Sequence, residues 1–184
     1  MIHTVQEQTR RWLEDAVIAL NLCPFANRVV QDKTLRIAVS TSTDLDEAFR
    51  FTLSEAQLLL ESPPEQISTT LAVLPNVLKS FEAFWQFTAE IEGALDAAGA
   101  TGTLQIATFH PDYRFDGVDP NDPSNYTNRA PHPTVHLIRE QQLAEAIATY
   151  NNPENIPERN IQVMRDLGIE GILALWKNWH GPSK

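Results

Sequence analysis

The stretch that decides the fold class is ISTTLAVLPNVLKSFEAFWQFTAEIEGALDAAGATGTLQIATF, residues 67–109. Its β-branched start, Ile67–Leu74, predicts a strand, and Thr103–Phe109 predicts another. Between them, apolar residues at helical spacing over Ser80–Ala98 predict a helix. The aromatic residues of its apolar stripe are expected in the core: Phe81, Phe84 and Trp85. A helix of this length between two strands indicates parallel or mixed pairing, with helices covering the sheet.

The flanking segments continue this alternation of helices and strands. Before the stretch, the apolar patterns predict a helix, a strand and a helix: Thr4–Leu20, Leu35–Ser40 and Asp44–Leu60. After it they predict a strand and three helices: Pro133–Ile138, Glu140–Tyr150, Pro157–Leu167 and Ile169–Trp179. The sequence therefore predicts an α/β or α+β fold, a single layered sandwich of about four mixed strands covered by helices, with a helical C-terminus. We expect residues 1–180 to form a single globular domain and residues 181–184 to be a flexible tail.

The composition narrows the range of partners. The chain has 184 residues, near the size of one domain, and its 42% hydrophobic content suits a packed core. Its net charge of −10, without a basic run, argues against nucleic-acid binding, which needs clustered lysine and arginine. No segment approaches the roughly 20 apolar residues that span a bilayer, so no membrane partner is expected.

The N-terminal region and the single cysteine indicate the cytoplasm. The chain is polar and charged before Trp12, and this region lacks the apolar stretch of a secretory signal. Cys23 cannot form an internal disulfide, which fits a reducing compartment. We therefore expect a cytoplasmic protein, for which a homo-oligomer is one permitted state.

A long polar segment, from His110 to His132, separates the third and fourth predicted strands. Structureless loops beyond roughly 12–15 residues are uncommon in compact domains and are usually functional or disordered. Tyr113, Phe115 and Tyr126 can anchor this segment, and its prolines lower the entropy lost on ordering it. We predict an ordered loop that shapes a site, with disorder as the alternative.

Polar residues gather at the two ends of this loop. His110 lies just past a strand end, where ligand-binding residues collect in α/β sheets. Asn125, Asn128, Arg129 and His132 precede the next strand, so they would approach His110 if the two strands are neighbours. In that arrangement His110 or His136 would act as the acid or base. The two asparagines would orient the ligand.

Arginines in the loop suggest an anchor for an anion. Guanidinium groups pair bidentately with carboxylate or phosphate, and Arg129 is the candidate anchor. Arg114, Asp112 and His132 are further candidate ligand-binding residues. The alternative for the arginines is an ion pair with one of the loop aspartates.

Cys23 is a candidate nucleophile for which the sequence permits two settings. At the C-terminal end of the first helix, the helix dipole would raise the pKa of the thiol and make it inert. If a short helix instead begins at Pro24, Cys23 is its N-cap and the pKa of the thiol falls. A nucleophilic role would also need a nearby base, such as His110 or His136.

His132 and His136 have the i, i+4 spacing that binds zinc on a helix, but here the predicted structure is a strand. Pro133 makes a helix improbable here, and four residues of strand span roughly 13 Å. Two histidines so far apart cannot share a zinc ion at about 2 Å per bond. A metal would need one of them plus His110, Asp112 or Cys23, and we predict no metal site. Because GxGxxG, P-loop, GxSxG and CxxC motifs are missing, the cofactor stays unknown.

Three segments stand out together: LNLCPFA (Leu20–Ala26), ATFHPDYRF (Ala107–Phe115) and NYTNRAPHPTVHLIRE (Asn125–Glu140). They resemble the hallmark segments of an uncharacterised bacterial family classed as a domain of unknown function. The resemblance covers almost the whole chain and implies a single cytoplasmic domain. It supplies no activity, cofactor or catalytic residue.

These observations favour a small enzyme or ligand-binding domain that takes a small anionic molecule. Its pocket would join residues 23–25, His110–Arg114 and Asn125–His136, and the sequence leaves open whether any reaction occurs there. The alternative is a non-enzymatic protein-interaction or dimerisation domain. In that case Trp176 and Trp179 would form the partner surface.

Overall fold

Four short strands pair into one mixed sheet. The computed structural model describes residues 2–180, apart from the side chains of Asn178 and His180. Within this part of the chain the strands are β1 (Leu35–Val39), β2 (Thr69–Val73), β3 (Leu104–Phe109) and β4 (Thr134–Arg139). Their spatial order is β1-β2-β4-β3, with β1 parallel to β2 and β4 antiparallel to both β2 and β3. The predicted mixed sheet is confirmed.

Helices occupy most of the remaining chain, as the sequence predicted. They are α1 (Ile2–Trp12), α2 (Ala26–Gln31), α3 (Leu45–Glu61), α4 (Phe81–Ala97), α5 (Glu140–Ala148) and α6 (Ile156–His180). A π-helix, Leu13–Ile18, continues α1, and non-helical dihedral angles at Gly168 divide α6 at the predicted boundary. The helical C-terminus is thus confirmed, whereas the predicted tail at 181–184 lies outside the described residues.

Side-chain caps explain where the two longest uninterrupted helices begin. The Asp44 carboxylate accepts the backbone N–H of Glu47 at 2.9 Å and opens α3. The Ser80 hydroxyl accepts the backbone N–H of Ala83 at 3.4 Å and opens α4. Each cap satisfies a backbone donor that the first helical turn leaves without a partner. The cap at Ser80 also fixes the position of the N-terminal turn of α4.

The sheet carries one core on each face. On one face, α3 and α4 cover a core that includes Leu59, Phe84 and Leu137. On the other, residues of α1 and α6, including Trp12 and Trp179, pack with β2. Successive strand residues alternate between these faces. Within residues 2–180, no helix combines the length and apolar character needed to cross a membrane.

The strand directions gather several loops at one edge of the sheet. The C-terminal ends of β1, β2 and β3 lie there together with the N-terminal end of β4. Hydrogen bonds join these loops: the Asn76 side chain donates to the Thr41 carbonyl at 3.0 Å, and the Leu74 N–H donates to the Pro133 carbonyl at 2.8 Å. In α/β sheets, ligands bind at this kind of edge.

Candidate functional site

The long loop between β3 and β4 has a defined conformation whose two ends meet. The His110 N–H donates to the Asn128 carbonyl at 3.2 Å, and the Asn128 side chain donates to the Thr108 carbonyl at 3.3 Å. The predicted convergence of the loop ends is therefore confirmed. The prediction of a loop without regular structure is wrong at Pro123–Thr127, which form a 3₁₀ helix.

Asn125 holds the middle of the loop together. Its side chain is fully buried, and its Oδ1 accepts the Phe115 N–H at 3.0 Å. Its Nδ2 donates to the Asp119 carbonyl at 2.8 Å. Both ends of the amide therefore have backbone partners inside the loop. This geometry suits a clamp that shapes the loop better than it suits the predicted donor to a ligand.

His110 is fully buried at the start of the loop. Its Nε2 lies 2.9 Å from the Leu78 carbonyl, and its Nδ1 accepts the Asp112 N–H at 3.0 Å. The first contact needs a proton on Nε2 and the second needs a bare Nδ1, so the ring is neutral. Burial lowers the pKa of His110 and supports this form. The ring therefore ties β3 to the turn before α4, and neither nitrogen faces a cleft.

His136 lies on the opposite side of the sheet from His110. The His110 ring packs 5.2 Å from Phe84 of the α4 core, whereas the His136 ring lies 6.3 Å from Phe109 of the other core. His136 Nε2 lies 2.7 Å from Thr69 Oγ1, and burial lowers the pKa of His136 to about 4. The sheet thus separates the two histidines that were expected to share a pocket.

The other predicted residues before β4 are also held by protein groups. His132 Nε2 lies 2.8 Å from Gln8 Oε1 of α1, which directs this ring toward α1. Asn128 Oδ1 accepts the Thr127 hydroxyl at 3.0 Å. Across the described residues, no three side chains of histidine, cysteine, aspartate or glutamate are grouped so that they could hold a metal ion.

Cys23 precedes a short helix, but burial determines its pKa. The helix α2 begins at Ala26, with Phe25 at the N-cap position, so Cys23 is not the N-cap. Burial raises the pKa of the thiol, and hydrogen bonds from the backbone amides of Phe25 and Ala26 lower it by less. The side chain packs against the core on the α1 side. Cys23 is therefore separated from His110, which packs in the α4 core.

An open cleft lies between the N-terminal turn of α4 and the loop. Its volume is about 410 Å³. We call it the arginine cleft, and its lining residues are Ser80, Phe81, Glu82, Asp112, Arg114, Pro120, Asn121 and Arg129. Three predicted ligand-binding residues are thus brought together: Asp112, Arg114 and Arg129. Sequence reasoning missed Ser80, although its position at the start of a strong helix was the available signal.

The two arginines of the cleft are held in different ways. Arg114 forms an exposed ion pair with Glu82 of α4, not with a loop aspartate. The Glu82 carboxylate accepts hydrogen bonds from the Glu82 backbone amide and from the Ser80 hydroxyl, and these bonds lower the pKa of Glu82. Arg129 donates from Nε to the Tyr113 carbonyl at 3.1 Å and from Nη2 to the Pro120 carbonyl at 2.8 Å. Its guanidinium also lies 4.3 Å from the Tyr126 ring centre, a cation–π distance.

A second cleft of about 850 Å³ continues along α4. We call it the aromatic groove; it is lined by Phe81, Glu82, Trp85, Gln86, Tyr113, Arg114, Phe115, Asp116, Gly117, Val118 and Pro120. Trp85 was expected in the core, but 54% of its surface is exposed. One helical residue corresponds to a rotation of about 100°, so burial of Phe84 turns its neighbour outward.

The family model described as "Protein of unknown function (DUF1415)" matches residues 4–174. The chain belongs to this family. The DUF1415 match confirms the resemblance to a domain of unknown function. No curated protein and no solved structure gives a significant match to the chain.

The two tryptophans at the end of this DUF1415 chain are not a free surface. Trp179 is buried among the residues of the α1-side core. Trp176 packs edge-on against Tyr126 of the loop, with ring centres 5.6 Å apart, and it also contacts Trp179. Trp179 is therefore too buried to form the expected partner surface, whereas Trp176 is half-buried. They help to fix the loop against α6.

Proposed function

We propose that this domain binds a small anionic molecule in the arginine cleft. The observation that carries the proposal is that two arginines, Arg114 and Arg129, line one open cleft. Guanidinium groups suit carboxylate and phosphate because their N–H donors match the geometry of these oxygens. The cleft also adjoins the N-terminal turn of α4, where the helix dipole favours negative charge.

The acidic residues of the cleft do not prevent this binding. Glu82 already pairs with Arg114, and both side chains are exposed, at 62% and 48%. Exposed ion pairs contribute little net stability. An incoming anion can therefore replace Glu82 as the partner of Arg114 at small cost. Asp112 is the remaining negative charge, and it limits how tightly a dianion binds.

Binding is better supported than catalysis. The histidines proposed as acid or base have protein partners at Nε2, and burial favours their neutral form. The thiol of Cys23 packs with the α1-side core. Among the residues that line the arginine cleft, the titratable carboxyl groups are those of Glu82 and Asp112. We therefore propose a ligand-binding domain. The net charge of −10, without a basic run, supports the proposal that it has no nucleic-acid partner, and the single cysteine supports a cytoplasmic location.

Calorimetric titration of the full chain with inorganic phosphate and with succinate tests the proposal. At least one of these anions should bind to the wild-type protein, and Arg114→Gln should weaken its binding at least about five-fold. The matched control is Arg28→Gln, because it removes the same charge from a side chain that is 86% exposed on α2. The proposal fails if neither anion binds, or if the two variants weaken binding equally.

A further inference from the structure

Four aromatic side chains form a continuous series beside the arginine cleft. Phe81 lies between Trp85 and Tyr113, with ring centres 6.1 and 5.0 Å away. Tyr113 in turn contacts Phe115, at 5.1 Å. The series thus runs from α4 to the loop, and all four of its residues line the aromatic groove.

Trp85 is the exposed end of this series, and the packing of the core does not require so large an apolar side chain on the outer face of α4. The helix α4 already buries Phe84, Phe87 and Ile91 in the core. An apolar surface rimmed by polar residues marks a place where another molecule binds. Here the rim consists of charged and amide side chains: Glu82, Gln86, Arg114 and Asp116.

The aromatic groove and the arginine cleft are adjacent. The residues that line both are Phe81, Glu82, Arg114 and Pro120. From these observations we infer that the anion bound in the arginine cleft carries a planar aromatic ring, which lies against Trp85. This inference rests on the function proposed above and names the class of its ligand, an aryl phosphate or aryl carboxylate.

Charge fixes the orientation of such a ligand. Each cleft has one carboxylate of its own, Asp112 in the arginine cleft and Asp116 in the aromatic groove, and Glu82 lines both, so the carboxylates do not distinguish the two ends. Of the two clefts, only the arginine cleft is lined by Arg129, so the anionic group is attracted to that end. A neutral ring suits the aromatic end, because indole and aryl faces pack in offset or edge-to-face arrangements.

Calorimetric titration with three phosphates tests the inference: inorganic phosphate, phenyl phosphate and cyclohexyl phosphate. Wild-type protein should bind phenyl phosphate about ten-fold more tightly than inorganic phosphate, and more tightly than cyclohexyl phosphate, because only the flat ring stacks on indole. Trp85→Ala should remove this preference and change the affinity for inorganic phosphate by less than about two-fold. Trp85→Phe should retain part of the preference because it keeps a ring.

The outcomes separate this inference from the proposed function. If inorganic phosphate binds and phenyl phosphate binds no more tightly, the arginine cleft holds an anion and the aromatic inference is overturned. A preference for phenyl phosphate that survives Trp85→Ala also overturns it. If no phosphate and no carboxylate binds, the proposed function itself fails. Trp85 is exposed, so Trp85→Ala should fold, and near-ultraviolet circular dichroism checks that it does.

Discussion

Lowering the pH from 7.5 to 5 is expected to destabilise the domain through His136. The Thr69 hydroxyl donates its single hydrogen to the Leu137 carbonyl at 2.7 Å. His136 Nε2, at 2.7 Å from Thr69 Oγ1, must therefore donate to that oxygen. The ring is neutral in this arrangement, and a second proton would place an uncompensated charge beside the sheet.

The size of the effect follows from the pKa. Burial lowers the pKa of His136 from its usual 6.5 to about 4. In the unfolded chain the ring takes up a proton below about pH 6.5, whereas the folded ring does not until the pH nears 4, so unfolding is favoured as the pH falls. Each pH unit in this window costs about 1.4 kcal/mol, which gives a loss of about 2 kcal/mol by pH 5.

Urea denaturation at pH 7.5, 6.5, 5.5 and 5.0 measures this loss. Other groups also titrate, including His110, whose pKa burial lowers in the same direction. They are present in wild-type protein and in His136→Gln, so the difference between the two unfolding free energies isolates His136. A glutamine amide can donate to Thr69 in the same way. The variant should therefore lose about 2 kcal/mol less than wild type between pH 7.5 and 5.

If the unfolding free energies of wild type and His136→Gln fall in parallel as the pH is lowered, this reasoning is refuted. That result would mean that the folded protein accepts a proton on His136 as readily as the unfolded chain does. The matched control is His3→Gln on α1, because it makes the same substitution at an exposed side chain. A lower unfolding free energy of His136→Gln at all pH values would report lost packing and leave the pH-dependent difference readable.

Four further predictions concern other side chains. Arg36→Met leaves the Glu55 carboxylate, whose side chain is only 8% exposed, without its partner; urea denaturation should show a loss of about 2–4 kcal/mol, and a loss below about 1 kcal/mol would contradict it. Asn125→Ala removes two buried hydrogen bonds; limited proteolysis should cut the loop faster than in wild type, and equal rates would contradict the clamp. Iodoacetamide should label Cys23 more slowly than a model thiol at pH 8, because burial raises its pKa; faster labelling would contradict this. Asp112→Asn removes a negative charge from the arginine cleft and should tighten phosphate binding about three-fold, whereas weaker binding would indicate a ligand that also carries a positive charge.

The fold could be predicted from local patterns because its elements are locally consistent. The β-branched character of β2 and the periodicity of α4 each indicate one structure, and Ser80 marks the start of the helix. The break at Gly168 was predictable for the same reason, since glycine readily adopts its φ of 65°. The strand order was not predictable, because nothing local specifies that β4 lies between β2 and β3.

The candidate site was predicted only in part, because burial depends on pairing that the sequence does not specify. The register of β3 with β4 sets Phe109 opposite Thr134, and the next residue, His110, then packs in the α4 core. Leu78 adopts a φ of 57°, and its carbonyl accepts from that ring. No pattern in the sequence predicts that a non-glycine residue adopts this left-handed conformation. The role of His110 could therefore not be inferred from its place after a strand.

The polar residues of the loop divide by what their side chains contact. Asn125 and Asn128 bond to backbone groups and shape the loop, whereas Asp112 and Arg114 are exposed in the arginine cleft. Arg129 belongs to both sets, because two of its N–H groups hold the Tyr113 and Pro120 carbonyls while its side chain lines the cleft. A ligand that binds Arg129 would therefore restrict the loop as well, and loop order and ligand affinity should be linked.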